Sequence, residues 1–157
     1  MNIKRAKRTY LKTLLSIDRS SFPPQEITPK ETFIYRIQNF PQWFFVAEEN
    51  DKILGFISCR PCNGEIIQDE FFSTNKIPES TTLAILNLAI STEWREKGIG
   101  TRLLEHILTL ADTRGYSKVI VSCKKELIPY FSKHGFTPNG MSHSRTLIPH
   151  HNMIRRR

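Results

Sequence analysis

The residues best suited to chemistry form one run, Arg95-Glu96-Lys97-Gly98-Ile99-Gly100-Thr101. An apolar segment precedes it and a helical pattern follows. Two glycines two apart let backbone amides face outward without interference from Cβ atoms. The helix start that follows presents N–H groups lacking an intrahelical partner, and its dipole favours an anion. Arg95, Lys97 and Arg102 add positive charge nearby. The chemistry this spacing offers is a cradle for a pyrophosphate. Two other phosphate loops are excluded. The GxxxxGK[ST] pattern is absent because Gly100 is followed by Thr101-Arg102, and GxGxxG lacks its third glycine three residues on.

Hydrophobic periodicity supplies the elements that position this run. Tyr10, Leu11, Leu14, Leu15 and Ile17 predict a first helix over residues 7–18, broken by Pro23-Pro24. A second helix starts at Thr28-Pro29-Lys30-Glu31, with Thr28 as cap, Pro29 in the first helical position and Glu31 completing a capping box. Phe33, Ile34, Ile37 and Phe40 line one face, and Pro41 ends it. Phe44 to Glu48 and Ile53 to Cys59 predict a hairpin turning at Glu49-Asn50-Asp51-Lys52. Ser73 to Ser80 reads as a loop. Thr82 to Ile90 is a strand with little polar surface, hence central. Gly98 to Arg114 is the clearest helix, with Ile99, Leu103, Ile107 and Ala111 repeating every four residues. Val119-Ile120-Val121 predicts a buried strand, and Glu126 to His134 a short helix with Pro129 in its first turn. Gly135 stands at its C-cap. Phe136 to Ile148 is expected to return as extended structure.

The 157 residues fit one domain, and 39% hydrophobic against 24% charged residues is enough for a core rather than a disordered chain. The net charge of +8 invites a nucleic-acid reading. Its distribution argues against one. Lys4, Arg5, Lys7, Arg8 and Lys12 at one end and Arg155, Arg156 and Arg157 at the other carry the whole surplus, so these ends read as solvated tails on a neutral body. Three cysteines are too few for a disulfide framework. Cys59 and Cys62 form a CxxC flanked by Arg60-Pro61 and Asn63-Gly64, which reads as a turn holding ordinary reduced thiols. His143, His150 and His151 lack metal spacing with partner carboxylates, so no metal is expected. No apolar run approaches the ~20 residues that span a membrane. The N-terminus lacks the apolar core of a signal peptide. A cytoplasmic location follows as the expectation.

Arg95 to Gly100 resembles the Arg/Gln-x-x-Gly-x-Gly/Ala signature of the GNAT superfamily of acetyl-CoA-dependent N-acetyltransferases. Leu127-Ile128-Pro129-Tyr130-Phe131-Ser132-Lys133-His134-Gly135-Phe136 resembles the family's short helix ending in Gly-Phe, and the order of elements fits over nearly the whole chain. Phe22-Pro23-Pro24, Phe40-Pro41 and Leu127-Ile128-Pro129 are similar to the serotonin (arylalkylamine) N-acetyltransferase branch. The resemblance implies an α/β (α+β) fold: a single domain over residues 1–157, with a mixed, mostly antiparallel sheet, a splayed central parallel strand pair and about four flanking helices. It implies that backbone groups of Leu88, Ala89 and Ile90 pair with the pantetheine arm of acetyl-CoA. Amides of Glu96, Lys97, Gly98, Ile99, Gly100 and Thr101, beside Arg95, would hold the pyrophosphate. Ser122, Cys123 and the short helix with Phe131 would lie on the arm's other side.

The implied reaction is direct attack of a neutral primary amine on the thioester, with a small molecule such as an arylalkylamine or polyamine as acceptor. A peptide amine, or binding of acetyl-CoA with little turnover, is the alternative. Such a reaction needs a base, a backbone N–H near Leu88 for the oxyanion, and a proton donor for the leaving thiolate. Two features depart from the family. Phe131 stands where many relatives place a tyrosine donor, leaving the adjacent Tyr130 as either donor or packed aromatic. Ala84 and Leu86 stand where serotonin acetyltransferases carry histidines. Glu70, with Asp69, is the base candidate, the alternative being a solvated loop. A C-terminal strand at a sheet edge would offer a surface for a homodimer.

Overall fold

A computed structural model of the chain describes residues 1–72, 78–142 and 149–157. Most of the loop predicted after Phe72, the end of the extended segment predicted from Phe136, and His143 lie outside the described residues. Among these residues seven strands form one sheet in the order β1-β2-β3-β4-β5-β7-β6. They are β1 (Asn2–Arg5), β2 (Phe44–Glu49), β3 (Lys52–Cys62), β4 (Thr82–Ile90), β5 (Lys118–Cys123), β6 (Thr137–Ser142) and β7 (His150–Arg156). The helices are α1 (Leu11–Ser21), α2 (Lys30–Asn39), α3 (Ile99–Thr113) and α4 (Ile128–Lys133). Pairs β1/β2, β2/β3, β5/β7 and β6/β7 are antiparallel, whereas β4/β5 is parallel, registered from Thr82↔Lys118 to Ala84↔Ile120. This is the mixed, mostly antiparallel sheet with one parallel pair that the family resemblance implies.

The chain divides into two compact units: Met1–Cys59 with Asn87–Ile107, and Arg60–Leu86 with Leu108–Arg157. In the first, Leu14 and Ile17 of α1 and Phe33 of α2 pack on Phe44, Val46, Phe56 and Ala89. The rings of Phe33 and Phe56 meet edge to face at 5.5 Å. The hairpin of β2 and β3 turns at Asn50 and Asp51, whose φ angles of 51° and 63° suit the right-handed twist of its strands. In the second unit, Cys62, Ile67, Phe71, Ala84, Leu86, Ile120 and Ile154 form the core. Phe131 of α4 packs on Phe136, with ring centroids 5.4 Å apart.

Several expectations need correction. Thr28 does not cap α2. The N-cap position is Pro29, without a side-chain bond, and the Thr28 hydroxyl donates to Asp18 instead. Cys59 and Cys62 lie within β3 rather than a turn, because the strand runs on through Arg60 and Pro61. Both thiols are buried and free, and burial pushes Cys62 up to about 12, which suppresses thiolate chemistry. The basic ends are built into the fold rather than solvated tails: Lys4 and Arg5 lie in β1, Arg8 in a 3₁₀ turn, Lys12 in α1, and Arg155 and Arg156 in β7. Lys4 pairs with Glu48 at 2.6 Å, Arg155 grips Asp112 through two bonds of 3.1 and 3.0 Å, and Arg156 reaches Glu65 at 3.2 Å. The C-terminal strand is interior: β7 lies between β5 and β6, so the edges are β1 and β6. That removes the stated basis for a dimer, since a strand paired on both sides has no free ladder to offer.

Candidate active site

The end of β4, from Asn87, lies in the first unit and leads through a single 3₁₀ turn, Thr92–Trp94, into the glycine run and the start of α3. The backbone takes left-handed angles at Glu96 (φ 61°) and Gly98 (φ 81°). A left-handed non-glycine residue is uncommon and costs on the order of 1 kcal/mol or more, and such strain clusters at ligand sites. A Cβ built on Gly98 would meet nothing within 4 Å, so the glycine is required by its backbone angle and leaves open space beside it. Arg102 N donates to the Gly98 carbonyl at 3.1 Å, closing the first turn of α3. The N–H groups of Ile99 and Gly100 therefore stand in the first turn, where no preceding helical carbonyl can accept them. Glu96, Lys97 and Gly98 are exposed, Gly100 and Thr101 are half-buried, and Ile99 is buried beneath them. This arrangement fits a pyrophosphate: first-turn amides, a helix dipole and open space at Gly98.

The three nearby cations do different things. Arg95 braces the turn. Its Nε donates to the Ile90 carbonyl at 3.1 Å, and its Nη2 donates to the Ser20 carbonyl at 3.1 Å and to Ser21 Oγ at 3.2 Å. A cation at the C-terminal end of α1 also suits the helix dipole. Lys97 Nζ lies 5.8 Å from the centroid of the Trp94 ring, and Arg102 is exposed on the first turn of α3.

Upstream, Leu88 and Ile90 are half-buried and Ala89 is buried. The Ser91 N–H donates to the Leu54 carbonyl at 2.8 Å, which holds β4 against β3 just before the turn. A Cβ on Gly55 would stand 2.8 Å from the Ala89 carbonyl oxygen and 3.3 Å from Ile90 Cα. Close backbone approach is thus what Gly55 permits.

The remaining predicted residues belong to the second unit. Ser122 is half-buried opposite Asn152 in the β5/β7 ladder. Phe131 is buried, and Tyr130 is half-buried with its ring 5.3 Å from Phe131 and 5.1 Å from His134. Glu70 is exposed on the 3₁₀ turn Asp69–Phe72. The structure thus brings the cradle residues together with Leu88, Ala89 and Ile90 in one unit, and gathers Tyr130 and Phe131 on one short helix in the other. Among the described residues, no three His, Cys, Asp or Glu side chains are grouped to hold a metal ion, and no helix is long and apolar enough to cross a membrane.

Sequence reasoning missed a buried polar group in the first unit: Arg36 on α2, Ser58 on β3 and Asn87 on β4. The signal was present. Asn87 interrupts an otherwise apolar strand between Leu86 and Leu88.

On α3, burial lowers the pKa of His106, whose ring meets Phe45 edge to face at 4.5 Å. A folded-state pKa below the ordinary value contributes stability above about pH 6.5 that is lost as pH falls through the folded pKa. The melting temperature is expected to drop between pH 7.5 and 5, and the drop to be smaller in His106→Gln. Parallel melting profiles for the two proteins would remove His106 as a source of acid sensitivity.

The chain matches the family model described as Acetyltransferase (GNAT) family over residues 11–136, and belongs to that family. It is 27% identical over 115 residues to N-alpha-acetyltransferase 30 of Schizosaccharomyces pombe, covering 69% of this chain and 67% of the relative. Across the curated relatives it matches, it spans from 27% to 67% of their length. Its fold is similar to the GphF GNAT-like decarboxylase in complex with isobutyryl-CoA, with TM-score 0.85, 16% identity and 99% of both chains covered. It is also similar to the ribosomal-protein-alanine N-acetyltransferase from Brucella melitensis, with TM-score 0.76, 17% identity and full coverage of both chains. At these identities the two solved structures speak for the fold alone.

Proposed function

We propose that this GNAT-family acetyltransferase moves the acetyl group of acetyl-CoA to a primary amine, with the α-amine of a peptide as the favoured acceptor. The observation that carries the cofactor half is the open, left-handed turn at Gly98 immediately before α3. What supports the acceptor half is the Schizosaccharomyces pombe relative, whose name specifies N-alpha-acetylation. The small-molecule acceptor expected from the sequence, an arylalkylamine or polyamine, is the competing outcome of the same experiment.

Acetyl-CoA supplies a thioester carbonyl activated toward amines. The amides of Glu96 to Thr101 hold its pyrophosphate, and the backbone of Leu88 to Ile90 lies beside its pantetheine arm. The Leu88 N–H donates to the oxygen that gains charge during attack. An amine is mostly protonated at neutral pH, so a base must take a proton before or during attack, and Glu70 is assigned that role. Tyr130 is the assigned donor to the departing thiolate, because the adjacent Phe131 has no proton to give.

The test is thiol release from acetyl-CoA with three acceptor sets: peptides with free α-amines, serotonin and tryptamine, and a polyamine. Release driven best by peptides is expected. Preference for serotonin would return the chain to the arylalkylamine branch. A folded protein that binds acetyl-CoA and acetylates none of these would contradict the transfer reading and point to a binding module.

The catalytic assignments are tested in the same assay. Glu70→Gln and Tyr130→Phe are each expected to lower kcat about a hundredfold, within the usual range for general acid–base groups. Acetyl-CoA affinity should stay near wild type. An unchanged kcat would remove the substituted residue from the site.

A further inference from the structure

A buried relay of polar groups passes through the side chain of Asn87, the residue just before the proposed oxyanion donor. Arg36 is 2% exposed, Asn87 6% and Asp18 0%, although two of the three can carry a charge. Arg36 Nη1 donates to Asn87 Oδ1 at 2.5 Å and to Ser58 Oγ at 3.1 Å. Ser58 Oγ donates to the same Asn87 oxygen at 3.2 Å. Asn87 Nδ2 donates to Thr28 Oγ1 at 3.4 Å, and the Thr28 hydroxyl and N–H donate to the two oxygens of Asp18 at 3.2 and 2.7 Å. Every bond points the same way, from guanidinium through amide and hydroxyl to carboxyl. Burial pushes the Asp18 carboxyl up, and the two Thr28 bonds and the Arg36 charge oppose that shift.

Burying a guanidinium is costly, and an apolar replacement of similar volume is often as stable. Fold stability is therefore a weak reason for it to sit here. Its partner's place in β4 gives a better one. The Leu88 N–H belongs to the peptide unit that begins at the Asn87 carbonyl carbon. Fixing the Asn87 side chain through α2, β3 and Thr28 fixes that unit's orientation from one side. The Ser91–Leu54 bond and the close approach at Gly55 hold the strand just beyond it. The Arg36 charge in a low-dielectric interior also favours negative charge nearby.

We infer that Arg36, acting through Asn87, is a positioning residue that aims and polarises the Leu88 N–H for the developing oxyanion. This rests on the transfer reading above and adds what prepares its donor. The probe is acetyl-CoA labelled with ¹³C at the acetyl carbonyl, read by isotope-edited infrared spectroscopy, beside kcat and acetyl-CoA affinity. In the wild type the bound carbonyl stretch is expected at lower frequency than free acetyl-CoA. In Arg36→Gln it should return toward the free value, with kcat down about a hundredfold, on the scale of losing one oxyanion contact. Ser58→Ala keeps both charges and removes one donor to Asn87, so it remains informative should Arg36→Gln fail to fold. A partial return and a roughly tenfold loss of kcat are expected there, with acetyl-CoA affinity within about twofold of wild type. A wild-type shift that survives unchanged in folded Arg36→Gln, or in Ser58→Ala where Arg36→Gln does not fold, would overturn this inference alone. A wild type that does not bind acetyl-CoA, or binds it with no carbonyl shift, would overturn the transfer chemistry at Leu88 and the inference with it.

Discussion

Gly98→Trp should abolish measurable acetyl-CoA binding by isothermal titration while the protein still melts cooperatively. The backbone there is left-handed at φ 81°, where any side chain is strained. That strain costs roughly 1–2 kcal/mol, which a folded domain tolerates. The larger effect is on the ligand. A Cβ at Gly98 meets no protein atom within 4 Å, so an indole would project into the space proposed for the pyrophosphate. Gly98→Ala separates the two contributions, since it adds the strain with only one methyl group. Its affinity should fall by about tenfold, equivalent to ~1.4 kcal/mol. Wild-type affinity in Gly98→Trp would place the cofactor elsewhere.

Gly55→Ala is the second large effect, and it acts on both stability and activity. The added Cβ would stand 2.5 Å from Ile90 Cδ1, 2.8 Å from the Ala89 carbonyl oxygen and 3.3 Å from Ile90 Cα. A flexible side-chain end can swing away. A backbone carbonyl in a central strand cannot move without carrying β4 with it. Overpacking of this kind costs about 1–3 kcal/mol, so a clear fall in the urea midpoint is expected. Because the displaced atoms belong to the segment proposed to hold the pantetheine arm, kcat/KM should fall further than the folded fraction alone explains. A variant with wild-type midpoint and activity would show that β3 and β4 have slack at this point, and would weaken the account of a rigid arm-binding strand.

Much of this was legible in the chain itself, and the reasons differ by element. The Thr82–Ile90 strand is apolar on both faces and the α3 pattern repeats every four residues, so each was readable to within a residue or two. The Asn-Asp hairpin turn was equally plain. Strand β1 was not, because four residues with Lys4 and Arg5 among them carry no periodic signal. A basic edge strand looks like a tail until its partner is known. Thr28 misled because the same hydroxyl that suits a helix cap also suits a buried carboxyl, and Asp18 stands ten residues away in sequence. The glycine run was legible because backbone demands fall on a residue type. The Arg36–Asn87 relay was not, since it joins residues 51 apart and its only local trace is one asparagine in an apolar strand. Arg95 shows the limit of motif reading in another way: its charge was read as an anion contact, and its guanidinium is found bracing Ile90, Ser20 and Ser21.

The turn from β4 into α3 is proposed to hold acetyl-CoA. Titration of ¹⁵N-labelled protein with acetyl-CoA, followed by amide chemical shifts, tests it most directly. Saturable shifts are predicted at Gly98, Ile99, Gly100 and Thr101, with accompanying shifts at Leu88 to Ile90. Unchanged resonances at those positions in a folded protein, at acetyl-CoA concentrations that saturate other GNAT-family enzymes, would contradict the account.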